Sequence, residues 1–176
     1  IVKTAVDSYG TVDIVVNNAG VLRDKTFHNM TVEDFDFVVK VHFLGTAYVT
    51  HAAWPIMRNK AYGRVVVTSS NSGIYGNFGQ TNYSAAKAGM HGFTMALAQE
   101  LANKGVTVNT VSPGYIGTDM VRAIKPEILE KIVATIPVKR LGTPEEIGSI
   151  VGWLAGDESG FTTGADFSCN GGLHMG

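Results

Sequence analysis

Three side chains in segment 70–87, S-N-S-G-I-Y-G-N-F-G-Q-T-N-Y-S-A-A-K, are spaced for proton transfer. Ser70 stands just past an apolar stretch, Tyr83 follows it by 13 positions, and Lys87 follows Tyr83 by four. Residues four apart are neighbours on a helix surface, so a helix here sets the phenol and the ammonium on one face. A cation beside a phenol favours the phenolate and makes tyrosine usable as an acid or base near neutral pH. An unperturbed phenol titrates near ~10, so a working value near ~7 needs roughly 4 kcal/mol of differential stabilisation. One cation supplies much of that in a partly desolvated cleft. Ser70 then hydrogen-bonds the oxygen that Tyr83 protonates, which is the chemistry of carbonyl reduction. Tyrosine and lysine four apart also occur on helices with no catalytic task. The strand-terminal serine and the glycine-rich stretch between them give the pair its meaning.

These groups need a scaffold, and the apolar periodicity supplies one. Residues 13–17 (D-I-V-V-N), 64–69 (R-V-V-V-T-S), 106–111 and 165–170 read as strands. Residues 31–59 read as one long helix, opened by Thr31 and Asp34 in a capping-box-like arrangement. A second helix covers about 82–103, with Ala86, Met90, Phe93, Leu97 and Leu101 on one stripe. Residues 126–134 and 144–155 read as helices with proline in the first turn. Strands alternating with helices predict an α/β fold, a doubly wound parallel sheet with helices on both faces. Ligands in such folds bind beyond the carboxyl ends of the strands. The segments 18–20, 70–83 and 113–118 all fall at such ends.

Composition narrows the classes. With 176 residues, 45% hydrophobic and 16% charged, the chain reads as a single ordinary globular domain over 1–176. A net charge of −1 without a basic run gives no reason to expect nucleic acid or an anionic membrane. The single Cys169 excludes an internal disulfide and a thiolate metal cluster, and suits a reducing compartment. His28, His42, His51, His91 and His174 show no paired metal spacing, so no metal is expected. No apolar run reaches the ~18 residues of a membrane span, and no signal-peptide pattern is visible at residue 1.

The motifs N-N-A-G (17–20), Ser70–Tyr83–Lys87, P-G-Y-I-G-T (113–118) and N-G-G (170–172) together resemble the short-chain dehydrogenase/reductase family. The resemblance spans nearly the whole chain and implies a Rossmann-like sheet. It implies Tyr83 as general acid for reduction and Ser70 as the group that positions the substrate carbonyl. Lys87 would depress the Tyr83 pKa and bond the nicotinamide ribose. Asn18, Ala19 and Gly20 would line the adenosine side of the cofactor. Pro113 and backbone groups around Gly114 and Ile116, with the Thr118 hydroxyl, would hold the carboxamide end. The cofactor would be NADP or NAD, with NADP slightly ahead. Each of N-N-A-G and P-G taken alone is also plain turn chemistry.

Two finer resemblances divide the chain. Phrases before Gln80, such as V-V-N-N-A-G-V-L-R-D-K-T-F and S-G-I-Y-G-N-F-G-Q, look like the dehydrogenase part of peroxisomal multifunctional β-oxidation enzymes. Phrases after it, such as K-A-G-M-H-G-F-T-M-A-L-A-Q-E and N-G-G-L-H-M-G, look like bacterial acetoacetyl-CoA reductases. Both imply a 3-oxoacyl or (3R)-3-hydroxyacyl thioester of CoA as substrate. The location so implied is cytoplasmic, with peroxisomal as the alternative. Phe78, Gln80 and Tyr115 would border the acyl pocket, with Asp24 a weaker member and ordinary loop packing the alternative for all. Lys125 could reach a CoA phosphate or simply be solvated.

There are two departures from the family pattern. In K-V-H-F-L-G-T (40–46), His42 stands where the family carries an asparagine that shapes a proton-relay water. His42 is therefore a relay candidate, or a residue that packs or serves through its backbone carbonyl. The family's G-x-x-x-G-x-G loop is absent, and the chain reads as lacking the first three family strands. The strand at 14–16 would then be an apolar sheet edge, a pairing liability. A second chain or further residues are expected to cover it. The helices at 31–59 and 82–103 carry more apolar surface than one sheet face needs, which suggests a homo-oligomer, dimer or tetramer; an all-core stripe is the alternative. Besides CoA thioester chemistry, the sequence allows a reductase of acyl-carrier-protein thioesters or of a steroid-like ketone, or a silent oligomerising scaffold.

Overall fold

The computed structural model describes residues 1–122 and 124–175, apart from the side chain of Met120. In chain order, helix α1 (Val2–Tyr9) leads into strand β1 (Ile14–Asn17), and helices α2 (Val32–Val39) and α3 (Gly45–Lys60) lead into β2 (Gly63–Thr68). Helices α4 (Asn71–Tyr75) and α5 (Thr81–Leu101) precede β3 (Val106–Pro113). Helices α6 (Asp119–Arg122), α7 (Pro126–Thr135) and α8 (Pro144–Ala155) precede β4 (Asp166–Cys169). The four strands form one parallel sheet in the order β1-β2-β3-β4. This is the expected doubly wound α/β architecture.

The valine run of β2 explains the layers. Successive side chains in a strand point to opposite faces. Val65 and Val67 pack with Met57 of α3 and Met90 and Leu101 of α5, whereas Val66 packs with Leu154 of α8. Both faces of β2 are thus buried, as continuous apolar strands require. The first two crossovers lie on one face and α8 on the other, so the connection to β4 has the opposite hand. That connection carries residues 114–143 across the carboxyl ends of the strands. Gly105 closes the 3-10 turn that follows α5 at φ 72°, and a Cβ there would run into the Ala61 carbonyl oxygen. Only glycine turns this corner.

Several expectations need correction. The predicted single helix over 31–59 is α2 and α3 joined by a π-helical turn over Lys40–Leu44. Thr31 lies outside it as N-cap, its hydroxyl accepting from the Asp34 amide at 3.1 Å. The second helix starts at Thr81 and passes into a 3-10 turn after Leu101. The glycine-rich stretch after Ser70 is partly the short α4, which Ser70 caps by accepting from the Ser72 amide at 3.2 Å. Strand β1 is the sheet edge, and its outward Ile14 and Val16 are 46% and 45% exposed.

Candidate active site

The strands deliver their carboxyl ends to one cavity of about 630 Å³. From the end of β1 come Asn18 and Gly20; from the end of β2, Ser70 and Asn71. Helix α5 contributes Tyr83 and Lys87, one turn apart as expected. Pro113, Gly114, Tyr115 and Thr118 close the far side beyond β3. Asp24, His42 and Gln80 complete the rim and wall. Most of the residues singled out from sequence therefore meet in one place.

Four do not line it. Phe78 is 90% exposed and points away, which removes it from the pocket border. It flanks Gly79, whose carbonyl accepts from the Lys25 amide, and that tie turns Gln80 rather than Phe78 inward. Ile116 lines a separate cavity of about 310 Å³ and pairs with Gly142. Its side chain is committed to that packing. Ala19 sits between two lining residues without lining the cavity itself. Lys125 is the N-cap of α7 and is likewise not a lining residue.

Lys87 is 3% exposed, and its ammonium donates to the Thr68 carbonyl at the end of β2. Burial pulls its pKa down to about 8. Ammonium carries three hydrogens, so two remain for other acceptors. The amide nitrogen of Asn71, buried at the cavity wall, has no protein partner. A buried donor without a partner is costly unless a ligand or water completes it. This donor set fits a cofactor carrying sugar hydroxyls. Asn71 was missed from sequence; its adjacency to Ser70 at a strand end was the available signal.

The expectation that Lys87 depresses the Tyr83 phenol is corrected. The Tyr83 pKa is raised, first by burial, with a hydrogen bond from Ser70 lowering it and the Asp24 carboxylate raising it further. The Lys87 nitrogen stands 5.5 Å from the Tyr83 ring centre and is engaged by Thr68. Desolvation of the phenol is the largest influence on it, and the protonated acid is the favoured form. Ser70 accepts from the Ser72 amide, which leaves its own hydrogen to be directed at an oxygen in the cavity, the Tyr83 phenol or a substrate carbonyl.

His42 lies in the π turn, a distortion frequent at functional sites. It is 2% exposed, with its ring edge-on to Tyr83 at 5.1 Å between centres. Its Nε2 sits 2.9 Å from the Val21 amide nitrogen and 2.8 Å from the Val21 carbonyl oxygen, while Nδ1 has no partner. Burial, then the Lys87 charge, lowers its pKa and keeps the ring neutral. A Cβ on Gly20 would meet His42 Cε1 at 2.5 Å, so this ring dictates the glycine of N-N-A-G. At the rim, Gln80 donates to Asp24 at 2.7 Å and accepts from Ser72 and Asn77, both at 3.0 Å. The expected substrate contacts Asp24 and Gln80 are thus bonded to each other.

Among the described residues no group of three or more His, Cys, Asp or Glu could hold a metal, and no helix is long and apolar enough to cross a membrane.

A family profile described as enoyl-(acyl carrier protein) reductase matches residues 1–174. Acetoacetyl-CoA reductase of Cupriavidus necator is 61% identical over 178 aligned positions, covering 99% of this chain and 72% of that protein. Acetoacetyl-CoA reductase of Allochromatium vinosum is 49% identical over 99% of this chain and 71% of that protein. The 3-oxoacyl-(acyl-carrier-protein) reductase of Vibrio cholerae is 42% identical over 99% of this chain and 72% of that protein. These matches run through the stretches on both sides of Gln80.

Proposed function

The chain belongs to the short-chain dehydrogenase/reductase family, oxidoreductases that take a nicotinamide cofactor, and we propose that it interconverts 3-oxoacyl-CoA and (3R)-3-hydroxyacyl-CoA. The observation that carries this reading is the meeting of Ser70, Tyr83 and Lys87 in one cavity at the strand ends. Likeness to acetoacetyl-CoA reductases over 99% of the chain supports the substrate class.

In this reading NADP or NAD, when bound, would supply hydride chemistry, and the chain's own residues would orient the carbonyl and deliver the proton. Ser70 donates its free hydrogen to the carbonyl oxygen and orients it. Tyr83, kept protonated by burial, gives its proton to that oxygen as negative charge develops there. Lys87 would offer its remaining hydrogens to the cofactor ribose. Asn18 and Gly20 border the adenosine side, and Gly114 and Thr118 the carboxamide side. His42 holds the Val21 peptide and the Tyr83 ring, so we give it positioning work in place of a relay. Tyr115, half-buried across the cleft, borders the acyl group together with Gln80.

The 42% identity to an acyl-carrier-protein reductase supports a second reading with the same chemistry on a protein-bound thioester. The chain is titrated with NADPH and NADH, and then supplied in turn with acetoacetyl-CoA, an acetoacetyl-acyl-carrier protein and a steroid ketone. Faster loss of reduced-cofactor absorbance with the CoA thioester is expected; preference for the carrier-protein thioester selects the second reading, and no turnover of any ketone overturns both. We also propose a homo-oligomer, dimer or tetramer, to be checked by sedimentation, where a monomer at all concentrations contradicts it.

A further inference from the structure

A smaller cavity of about 270 Å³, lined by His91, Asp166, Ser168 and His174, lies next to the catalytic helix. His91 stands on α5 one turn beyond Lys87, and the chemistry above leaves it without a task. Its Nε2 is 2.9 Å from the Ser69 hydroxyl. That hydroxyl is buried and donates to the backbone carbonyl of Lys87 at 2.9 Å. A hydroxyl has one hydrogen to give. Because it is spent on Lys87, the ring nitrogen must be the donor to Ser69.

The other ring nitrogen, Nδ1, faces Asp166 Oδ1 at 3.8 Å, too long for a hydrogen bond. Asp166 accepts from Ser112 at 2.6 Å and from Ser168 at 3.4 Å. The ring thus ties α5 to Ser69, just past β2, and faces the first residue of β4. The charged or titratable groups that face it are Asp166 from β4 and His174 from the chain end.

The position of Ser69 gives this network its consequence. On one side is Thr68, whose carbonyl holds the Lys87 ammonium. On the other is Ser70, which lines the same cavity as Tyr83. A peptide pinned at Ser69 by both His91 and the Lys87 carbonyl cannot let those two oxygens drift separately. We propose that His91 is a positioning residue for the reaction: it fastens Ser69, and through it fixes Thr68 and Ser70 against Lys87 and Tyr83. This inference rests on the roles given above to Ser70, Tyr83 and Lys87.

The test compares wild type with His91→Leu, His91→Gln and Ser69→Ala. Steady-state kinetics with acetoacetyl-CoA and reduced cofactor give kcat and KM. Separately, 13C-labelled tyrosine gives the titration of the Tyr83 phenol, assigned with Tyr83→Phe and requiring no turnover. Small displacements of catalytic groups cost large factors, so His91→Leu is expected to lower kcat about tenfold with KM within about twofold. Glutamine keeps an N–H near the Nε2 position and is expected to restore kcat to within about threefold of wild type. Ser69→Ala should match His91→Leu, and it stands in if the leucine variant does not fold. The phenol titration should move in His91→Leu and return in His91→Gln.

Wild-type kcat and an unmoved phenol titration in both His91→Leu and Ser69→Ala would overturn the proposal. A loss that glutamine fails to recover would overturn it as well. If wild type itself turns over no 3-oxoacyl thioester, the substrate reading is what fails, and the phenol titration alone then decides the role of His91.

Discussion

The two sides of the large cavity are built differently. Its floor, at the ends of β2 and α5, consists of Ser69, Ser70, Asn71 and Lys87, tied to buried backbone and to one another. Its cover, after β3, contains α7, a helix with no buried residue, and sends Ile124 and Ile132 toward the space below. Segments with few buried contacts open at lower free energy than core elements. In the proposed function, proton chemistry falls to the more firmly held part and substrate fit to the more exposed one. Exposed loops on rigid scaffolds commonly carry recognition in this way.

Substitutions break this comparison most strongly on the floor. Lys87→Met is expected to lower kcat about thousandfold, within the range of lost acid–base assistance. The same change should stabilise the fold. The buried ammonium titrates at about 8 against 10.5 for a free lysine side chain, so the unfolded chain holds the extra proton between those values. Stability therefore rises with pH across that window, and below it the buried charge is a burden. Removing the charge, less the lost Thr68 hydrogen bond, should add about 2 kcal/mol at pH 7. Urea unfolding of both proteins checks this, and a destabilised Lys87→Met would show the floor to be held by the charge itself.

Gly20→Ala drives a methyl into His42 and is expected to cost about 2 kcal/mol. It should also lower kcat about tenfold by moving the ring that packs on Tyr83; thermal melts and kinetics read the two effects. The wild-type kcat for reduction should fall as pH rises through about 8, where Lys87 loses its proton. A profile flat to well above that value would remove Lys87 from the floor's chemistry. On the cover, Ile132→Ala should raise KM a few-fold, leave kcat near wild type and change stability by less than about 1 kcal/mol, as for a partly exposed site. A kcat loss there as large as on the floor would erase the distinction.

Sequence made the floor legible because it depends on periods. Tyr83 and Lys87 share a helix face by spacing alone, and the valines of β2 mark a strand buried on both sides. What it hid depends on burial and side-chain direction. The helix period joins Tyr83 to Lys87 but does not show that burial pushes the phenol up and the ammonium down. The π turn at Lys40–Leu44 leaves the apolar pattern nearly intact, so His42 read as part of a continuous helix. The contact between Gly20 and His42 joins residues on separate elements, and N-N-A-G alone reads as a turn. Phe78 and Gln80 are two apart in one loop, and only the fold reveals that the phenyl ring is outside.

The claim on which the rest depends is that Tyr83 delivers the proton to a 3-oxoacyl thioester. Tyr83→Phe removes one hydroxyl and leaves the ring on His42. Its turnover of acetoacetyl-CoA, followed through the reduced-cofactor absorbance beside a cofactor-binding titration, tests that claim most directly. The account predicts unchanged cofactor binding and a kcat lower by about three orders of magnitude. Turnover within about tenfold of wild type, a loss too small for a missing general acid, would contradict it.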